Sequence, residues 1–423
     1  MVVMWSEKAK SNLCRSLVVF NVTLAVSLLV CEWLIFEVAI MFCEVPHLPL
    51  EDSQTNRQGI VADDAQLKVM MIADLHLIGQ LLGNSIDRLK RESQMRTAFH
   101  TAVRQLEPDL IFILGDILDE GKWSFLPEDF RRTTGRYRKY FSRYVNSMAT
   151  KKKIDLHVLT GNHDVGFHYD VDNIKVHRFE KSFNASKVKF VSEKGVNFLL
   201  LNSVLMRNDS CALCLETQKQ LREAKAVLDC IQISSKKSIS KKCSDLVKKH
   251  EVEELIPDVK PDKISQPIIL QHFPLYRANE SSCFSADWNS LNLNISKPLE
   301  QDWDVLSKQT SRNLVDMFNP RLVFSGHSHY NCEIWHRYFA DQRRKVLEVT
   351  VNSFSWRNND NPKILLLTID RNSYTYSLCH LPRESAQFAI YCLLWGYSLI
   401  YIVRKCRNAN VHYFPRLWKT KSV

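Results

Sequence analysis

Charge is nearly absent from two long segments of this 423-residue sequence, one near each end. The first, Ser16 to Phe42, contains only Glu32 and Glu37 as charged residues, and the second, Phe388 to Val403, contains none. Because a bilayer core about 30 Å thick needs about 20 helical residues, both segments predict membrane-spanning helices. The second segment is short, and a buried helix of a soluble domain is the alternative interpretation for it.

The first segment also lacks a clean small-residue cleavage site, although Lys8, Lys10 and Arg15 precede it as they would in a signal peptide. Its length therefore favours a retained span over a cleaved leader. Basic residues also follow the second segment at positions 404, 405 and 407. The positive-inside rule then predicts that both ends of the chain are cytoplasmic and that the residues between the spans are lumenal.

Internal repeats are absent as well. The net charge of +11 is compatible with nucleic acid, a membrane surface or phosphate substrates, and a lumenal position excludes nucleic acid. Seven cysteines lie between residues 211 and 379, an odd number whose pairing the sequence does not reveal. The pair Cys211 and Cys214 favours a disulfide or simple burial over zinc or redox chemistry.

The sequence divides into six segments. These are a tail (1–15), the first span (16–42), a linker (43–65), a lumenal domain (66–385), the second span (386–403) and a second tail (404–423). In the lumenal domain, apolar runs alternate with helical patterns such as Ser93 to Glu107, which indicates an α/β sheet. Eight runs are predicted strands: KVMMIA, DLIFILG, IDLHVLTG, VNFLLLNS, PIILQH, RLVFSG, KVLEVTV and KILLLTI.

Five of these strands end in carboxylates, amides or imidazoles. In chain order the ends carry Asp74 and His76; Asp116 and Asp119; Asn162, His163 and Asp164; His272; and His327 and His329. Because α/β sheets form their sites at the carboxyl ends of strands, we expect these side chains to converge. A single turn of this kind is ordinary, but five in one chain predict a metal centre. Oxygen and imidazole donors without thiolate suit Mn, Fe or Zn.

In this order the five motifs resemble those of the calcineurin-like metallophosphoesterases, from about Lys68 to Thr368. The resemblance implies a four-layer αββα sandwich and two divalent ions, with Mn²⁺ favoured and Fe or Zn as alternatives. It also implies that one ion is held by Asp74, His76, Asp116 and His329, and the other by Asp116, Asn162, His272 and His327. The shared carboxylate of Asp116 would keep the two ions about 3.5–4 Å apart.

The same resemblance leaves His163 outside the ligand set. Because it adjoins Asn162, its ring is expected to face the substrate phosphate and to protonate the leaving oxygen or stabilise a phosphoryl oxygen. Asp164 is expected to orient that ring, and Asp119 to orient a metal ligand. Turn capping is the alternative role for both acids.

With its two spans, the chain further resembles the membrane-bound family members that remove ethanolamine phosphate from mannose in glycosylphosphatidylinositol (GPI) anchors. This implies a phosphodiesterase at endoplasmic reticulum exit sites, the ER–Golgi intermediate compartment and the cis-Golgi, which aids transport of GPI-anchored proteins. Its substrates would be those proteins, and its cytoplasmic tail would meet vesicle coat proteins and cargo receptors. Lys419 and Lys421 resemble a dilysine retrieval signal. The sequence leaves open a phosphatase for a lipid phosphate or phosphoprotein, and a cargo receptor that binds without cutting.

Overall fold

A computed structural model of the protein describes residues 7–48, 66–123, 127–148, 152–167, 170–207, 211–234, 265–284, 295–337, 344–358 and 360–410. The chain divides into two compact units. Ile40–Leu381 forms an α/β domain, and Met1–Ala39 with Pro382–Val423 forms a helical pair. Most of the predicted linker and the predicted signal of Lys419 and Lys421 lie outside the described residues.

Two mixed sheets build the α/β domain. The strands are β1 (Leu67–Ile72), β2 (Leu110–Ile113), β3 (Asp155–Val158), β4 (Val188–Glu193), β5 (Val196–Leu201), β6 (Ile268–Leu270), β7 (Leu322–Ser325), β8 (Cys332–Arg337), β9 (Lys345–Thr350), β10 (Lys363–Ile369) and β11 (Tyr374–His380). One sheet has the order β11-β10-β1-β2-β3, and the other has the order β4-β5-β6-β7-β9-β8. Within them β1, β2 and β3 run parallel, as do β5, β6, β7 and β9.

The helices have the following bounds. They are α1 (Glu7–Leu29), α2 (Ile35–Met41), α3 (Ser85–Leu106), α4 (Pro127–Tyr137), α5 (Arg143–Met148), α6 (Asn162–Val165), α7 (Asn173–Phe183), α8 (Ala212–Ser234), α9 (Lys308–Phe318) and α10 (Glu384–Asn410). A π-helical turn, Val30–Leu34, joins α1 to α2, and another, Arg138–Ser142, joins α4 to α5.

One apolar core lies between the two sheets. Met71 and Phe112 from the first sheet share this core with Phe198, Phe324 and Val349 from the second. Burying an aliphatic or aromatic side chain of this size stabilises the fold by about 1.5–3 kcal/mol, so the facing sheets hold each other in place. The predicted αββα sandwich is confirmed. Its central strands, β1 and β2 in one sheet and β5, β6, β7 and β9 in the other, are parallel, and the parallel strand β3 lies at the edge of its sheet.

All eight predicted strands are present, and the structure adds three that the sequence did not predict: β4, β8 and β11. Each of these lies at the edge of its sheet and pairs antiparallel with one neighbour. Their residues are mostly only partly buried, whereas β5 and β10 are buried throughout. An edge strand is less enclosed and needs no continuous apolar run, so its sequence pattern is weak.

Disulfides link cysteines that the sequence left unpaired. The bonds are Cys43–Cys379, Cys211–Cys214 and Cys283–Cys332, and Cys230 is also disulfide-bonded. Cys43 directly follows the first span, so counting it makes the set between the spans even. Of the alternatives for the pair Cys211 and Cys214, the structure shows the disulfide. Such a framework is typical of an oxidising compartment.

Two helical stretches among the described residues are long and apolar enough to cross a membrane, Cys14–Met41 and Glu384–Lys405. The most apolar 18-residue windows within them have mean hydropathies of 2.2 and 1.6, and only 22% and 11% of these windows are buried. A core helix of a soluble domain would be mostly buried, so this alternative for the second segment does not fit. The two stretches indicate a membrane protein.

Glu32, which the sequence left without a role, joins the two spans. It lies in the π-helical turn Val30–Leu34. Its Oε1 accepts hydrogen bonds from the Tyr391 hydroxyl at 2.9 Å and from Gln387 Nε2 at 3.2 Å. Gln387 Nε2 also donates to the Cys31 carbonyl at 2.8 Å. In a bilayer these bonds satisfy polar groups that lipid cannot, and they hold the helices together.

Replacing Glu32 by leucine is expected to weaken the association of the two spans by about 0.6–1.7 kcal/mol, the range measured for hydrogen bonds between membrane helices. Thermal unfolding of the full chain in detergent measures the effect. Glu32→Gln keeps an acceptor oxygen and serves as the matched control, with most of the stability retained. Equal stability of the leucine variant and the native chain would show that these bonds do not join the spans.

Candidate metal centre

The loops that follow β1 and β2 run side by side. The Asp74 amide donates to the Gly115 carbonyl at 3.2 Å, and the His76 amide donates to the Asp116 carbonyl at 2.9 Å. Because β1 and β2 are parallel neighbours, their carboxyl ends meet at one edge of the sheet. The first two sequence motifs are therefore adjacent through their backbones.

Left-handed backbone conformations are concentrated at the predicted ligands. Five of the seven predicted ligands have positive φ, between 46° at His76 and 71° at His327. These five are Asp74, His76, Asp116, His327 and His329. A residue with a Cβ in this region costs about 1–3 kcal/mol, which persists only where the surrounding fold enforces it. Backbone strain at these five positions indicates that the fold gives up some conformational stability to orient their side chains toward the centre.

The first predicted ligand group is brought together. Asp74, His76 and His329 each place one donor atom within 4.8 Å of the others. Asp119 Oδ1 bonds His76 Nδ1 at 3.1 Å, so Nε2 of that ring is the nitrogen that faces the group. His76 Nε2 lies 3.6 Å from Asp116 Oδ2. Asp119 thus holds the His76 ring in place.

The second predicted group also converges. Asp116, His272 and His327 place donor atoms within 4.8 Å of one another. His272 Nε2 lies 3.3 Å from Asp116 Oδ2 and 3.0 Å from Asn162 Oδ1. Asp116 therefore lies between the two groups, as a bridging carboxylate must.

Backbone carbonyls select the ring nitrogens of the second group. His272 Nδ1 bonds the Leu114 carbonyl at 2.8 Å, which leaves Nε2 for the site. His327 Nε2 bonds the Trp303 carbonyl at 2.9 Å, which leaves Nδ1. Outer bonds of this kind fix the tautomer and the orientation of imidazoles that bind metals.

Buried atoms without partners show what the centre requires. Among the described residues, His76 Nε2 and Asp116 Oδ2 are buried and have no hydrogen-bond partner. An unsatisfied buried polar atom costs about 1–3 kcal/mol, and more when the group is charged. Both atoms point where the two groups meet, and their oxygen and nitrogen chemistry suits a divalent cation. The residues present therefore fit two ions, bridged by Asp116.

The backbone leaves no room for a larger residue behind Asp116. A Cβ on Gly161 would overlap the Asp116 carboxylate, and a Cβ on Gly115 would lie 2.6 Å from His272 Nδ1. Gly115 also has a φ of +91°. These glycines precede the polar turns in the sequence because a side chain there would displace the metal ligands.

The carboxyl and imidazole groups of the centre shift one another's pKa values. Burial raises the pKa of Asp74 to about 7. Burial opposes ionisation of Asp116 as well, but His272 and His163 hold its pKa well below the usual range. His272 is buried too, yet Asp116 and Asp74 raise its pKa to about 9. Divalent ions would replace these protons, so metal uptake is expected to release protons and to weaken as the pH falls.

His163 lies at the opening of the centre. Its amide donates to Asp116 Oδ1 at 2.7 Å, and its Nδ1 bonds the Asp119 carbonyl at 3.0 Å. The ring packs edge-on against His76 at 4.7 Å and is partly exposed, unlike the ligand rings of His76 and His272. His76, Asp116 and His163 also form a group within 4.8 Å, so distance alone would permit His163 as a ligand.

Asp164 does not orient the His163 ring, contrary to the sequence prediction. Its Oδ1 accepts from the Leu118 amide at 2.9 Å, and its Oδ2 accepts from the Gly161 amide at 2.8 Å. Both bonds hold the turn that carries the ligand Asn162. Burial, followed by the charge of Asp116, raises the pKa of Asp164 to about 8. Its role in the structure is the capping alternative.

Arg357 and Asn358 reach the centre although the sequence analysis missed them. Arg357 Nε and Nη2 both lie 3.2 Å from Asp119 Oδ2, whose other oxygen holds His76. Asn358 Nδ2 lies 3.3 Å from His329 Nε2. The available signal was their position shortly after β9, a further strand whose carboxyl end lies at the same edge.

A buried ion pair positions the loop between His327 and His329. Arg277 is buried, bonds Glu280 through Nε at 2.9 Å and Nη2 at 3.0 Å, and donates to Ser328 Oγ at 3.1 Å. Ser328 stands between the two ligands. Glu280, Cys283 and Cys332 also cluster, but the two cysteines form a disulfide, so this cluster is structural.

Replacing Asp119 by alanine is expected to lower metal affinity about 10–100-fold, because His76 loses the carboxylate that fixes its ring. Isothermal titration calorimetry of the metal-free full chain with Mn²⁺ measures the change in affinity. Asp316→Ala is the control, since Asp316 pairs with Arg312 on the surface. Unchanged affinity in the Asp119 variant would mean that other contacts hold His76.

Comparisons with known proteins agree with this geometry. A family model described as Calcineurin-like phosphoesterase matches residues 67–331. Proteins named Metallophosphoesterase 1 are similar to the chain along most of its length. The one from Pongo abelii is 38% identical over 396 residues, 93% of this chain and 89% of its own length. Those from Xenopus laevis and Gallus gallus are 37% identical, covering 87% and 89% of this chain and 85% and 86% of their own lengths.

Proposed function

The chain belongs to the calcineurin-like phosphoesterases, and from this premise we propose that it is a phosphodiesterase which removes ethanolamine phosphate from mannose in GPI anchors. The predicted metal-dependent phosphoesterase is confirmed. The observation that carries the proposal is the single carboxylate of Asp116 between two ligand groups, with His163 beside it. When bound, two divalent ions activate water and neutralise phosphate charge, and Mn²⁺ is the proposed metal.

His163 is proposed to act on the leaving oxygen. Burial lowers the pKa of its ring, although Asp116 opposes this effect. A substrate phosphate brings negative charge beside the ring, which favours the protonated form. The ring can then donate its proton to the mannose oxygen as the phosphorus–oxygen bond breaks, while the Asp119 carbonyl holds Nδ1.

An aromatic rim beside the second ligand group supports a sugar substrate. The rings of Trp303 and Phe167 are 4.3 Å apart, and Lys122 Nζ lies 4.7 Å from the ring of Trp123 and 5.7 Å from that of Phe167. Trp303, whose carbonyl holds His327, is exposed, as is Trp123. Partly exposed aromatic side chains suit the apolar surface of a ligand such as a sugar, and Lys122 can donate to hydroxyls or a phosphate.

Membrane attachment supports a substrate that is itself held in a membrane. The α/β domain is continuous in sequence with a candidate span at each end. We propose that both chain ends are cytoplasmic and the domain lumenal, with the disulfides as support. GPI-anchored proteins would be the substrates, and Lys419 and Lys421 would address the protein to vesicle coats between the endoplasmic reticulum and Golgi, alongside cargo receptors.

Mass analysis of GPI glycans in cells lacking the protein tests the proposal. We expect side-chain ethanolamine phosphate to be retained and the native chain, but not Asp116→Asn, to restore its removal. Purified full chain that leaves such glycans intact while hydrolysing lipid phosphates or phosphopeptides would assign it to one of those substrates. Normal cargo export in cells expressing only a metal-loaded His163→Ala chain would favour a receptor that binds without cutting.

A further inference from the structure

Four large aliphatic side chains protrude from the α/β domain close to the metal centre. They are Leu81, Leu82, Ile86 and Leu89, whose exposed fractions are 69%, 42%, 80% and 70%. All four fall within nine residues, at the start of α3 and in the loop before it. Soluble surfaces rarely present so many large aliphatic groups in one short segment unless they meet a partner or a lipid. We refer to these four residues as the aliphatic surface.

The aliphatic surface is carried by an ordered loop. The buried Glu120 carboxylate accepts hydrogen bonds from the Leu81 amide at 3.0 Å and the Leu82 amide at 2.6 Å. A Cβ on Gly79 would overlap this carboxylate, and a Cβ on Gly83 would overlap Ile78. The loop therefore presents its leucines from a close-packed base, and their exposure does not result from a frayed tip.

The segments that support this loop also support the metal centre. Glu120 directly follows Asp119, which holds the ligand His76. The Leu77 amide donates to the Ile117 carbonyl at 2.9 Å, and the Asp119 amide donates to the Leu77 carbonyl at 3.1 Å. Only four residues separate His76 from Leu81. The aliphatic surface is therefore joined through a short loop and through Glu120 to the segments that carry His76 and Asp119.

Basic residues accompany the aliphatic surface. The turn from 85 to 91 carries Arg88, Lys90 and Arg91 against one acid, Asp87, to which Arg91 is paired at 2.8 Å. Lys90 lies 5.6 Å from the ring of Trp356. Aliphatic side chains next to basic ones are the composition of segments that lie in the interface of a membrane. Protein-binding hot spots favour Trp, Tyr and Arg over Leu.

We propose that the aliphatic surface enters the outer layer of a lipid bilayer and so holds the opening of the metal centre at the membrane. The occupant is lipid because this chain itself carries two candidate spans, which keep a bilayer within reach at all times. The half-buried side chains of Arg88 and Lys90, beside the aliphatic ones, meet the phosphates of lipid headgroups, whereas Arg91 is held by Asp87. This inference goes beyond the proposed function, since it does not depend on which phosphodiester is cut.

A fluorescence experiment on the full chain tests the contact directly. Ile86→Cys is labelled with the environment-sensitive dye NBD, in a background with the free cysteines replaced by serine, and the chain is reconstituted in phosphatidylcholine vesicles with and without phosphatidylserine. The matched control is Ile174→Cys, because Ile174 is 78% exposed on another helix, α7. We expect blue-shifted emission and quenching by spin-labelled lipid at position 86 only. Identical behaviour at 86 and 174 would overturn the proposal.

The same experiment separates other occupants. Shielding of the dye at position 86 in cell membranes but not in pure lipid vesicles would assign the surface to a partner protein. Shielding in detergent, accompanied by dimers on cross-linking, would assign it to a second copy of the chain. Either result overturns lipid contact. Because no step of the measurement involves catalysis, it decides the inference even if the proposed function fails.

Activity provides a second readout. Ile86→Asp combined with Leu89→Asp is expected to lower kcat/KM about tenfold on a mannose–ethanolamine phosphate carried by a diacyl lipid, and to change hydrolysis of soluble bis(4-nitrophenyl) phosphate less than about twofold. Ile174→Asp should affect neither substrate. Equal losses on both substrates, or no loss on the lipid-borne one, would contradict the proposal. A native chain that cuts only the soluble substrate would count against the proposed function instead.

Discussion

Replacing Asp116 by asparagine is expected to release both metal ions and to lower phosphoesterase activity about a thousandfold. Asp116 lies in both ligand groups, and its buried Oδ2 has no hydrogen-bond partner among the described residues. An amide removes the negative charge and one of the two ligand oxygens. Metal ions contribute several kcal/mol of charge stabilisation to the transition state, and about 4 kcal/mol corresponds to that loss of rate. Metal content by elemental analysis and kcat/KM on bis(4-nitrophenyl) phosphate measure the two effects.

Asp109 offers a matched control for this change. It precedes β2 as Asp116 follows it, and it pairs with Lys152 at 2.9 Å at the opposite end of the strand. Asp109→Asn should keep both metal ions and nearly native activity. If Asp116→Asn retained two ions per chain, the bridging role of Asp116 would be wrong and the two groups would bind independently.

His163→Ala is expected to lower kcat about 10²–10⁴-fold on a substrate whose leaving group is a sugar alcohol, with both metal ions retained. Loss of the ring removes the group that can protonate the leaving oxygen. A 4-nitrophenolate leaving group needs no proton, so hydrolysis of bis(4-nitrophenyl) phosphate should fall much less. Comparing the two substrates therefore isolates proton donation from metal binding.

His177→Ala is the control for this second change, because His177 is exposed on α7. The native and control chains should behave alike on both substrates. His163 also lies within ligand distance of His76 and Asp116, and this offers a distinct outcome. Equal losses on both substrates together with a lost metal ion would make His163 a ligand, and the proton would have to come from another group.

The strands and the polar residues that follow them were predictable because both are encoded in short, continuous stretches of sequence. Most of the parallel strands, such as β1, β2, β5 and β7, are short apolar runs that are almost wholly buried, whereas β3 is only partly buried. The polar residues that follow each strand stand next to it in the sequence. The five endings that carry Asp74, Asp116, Asn162, His272 and His327 could therefore be placed at one edge from the sequence. The membrane segments were predictable for the same reason, since a helix in lipid needs an unbroken apolar stretch.

Contacts between distant residues were decided only by the tertiary structure. Asp119 and Arg357 are 238 positions apart, and Glu32 and Tyr391 are 359 apart. In both pairs, the sequence around one residue does not identify its partner, because the pairing depends on how the sheets and helices pack. The turn-holding role of Asp164 likewise followed from the closeness of the Leu118 amide, 46 positions away.

The sequence by itself determined that polar strand ends would meet and that two apolar helices would flank them, because period and composition record burial residue by residue. The tertiary structure decided how the centre is supported: which ring nitrogens of His76, His272 and His327 face the ligand groups, which cysteines pair, and which loop exposes aliphatic side chains. Those features depend on distances between segments far apart in the chain, and such distances exist only once the two sheets have packed together.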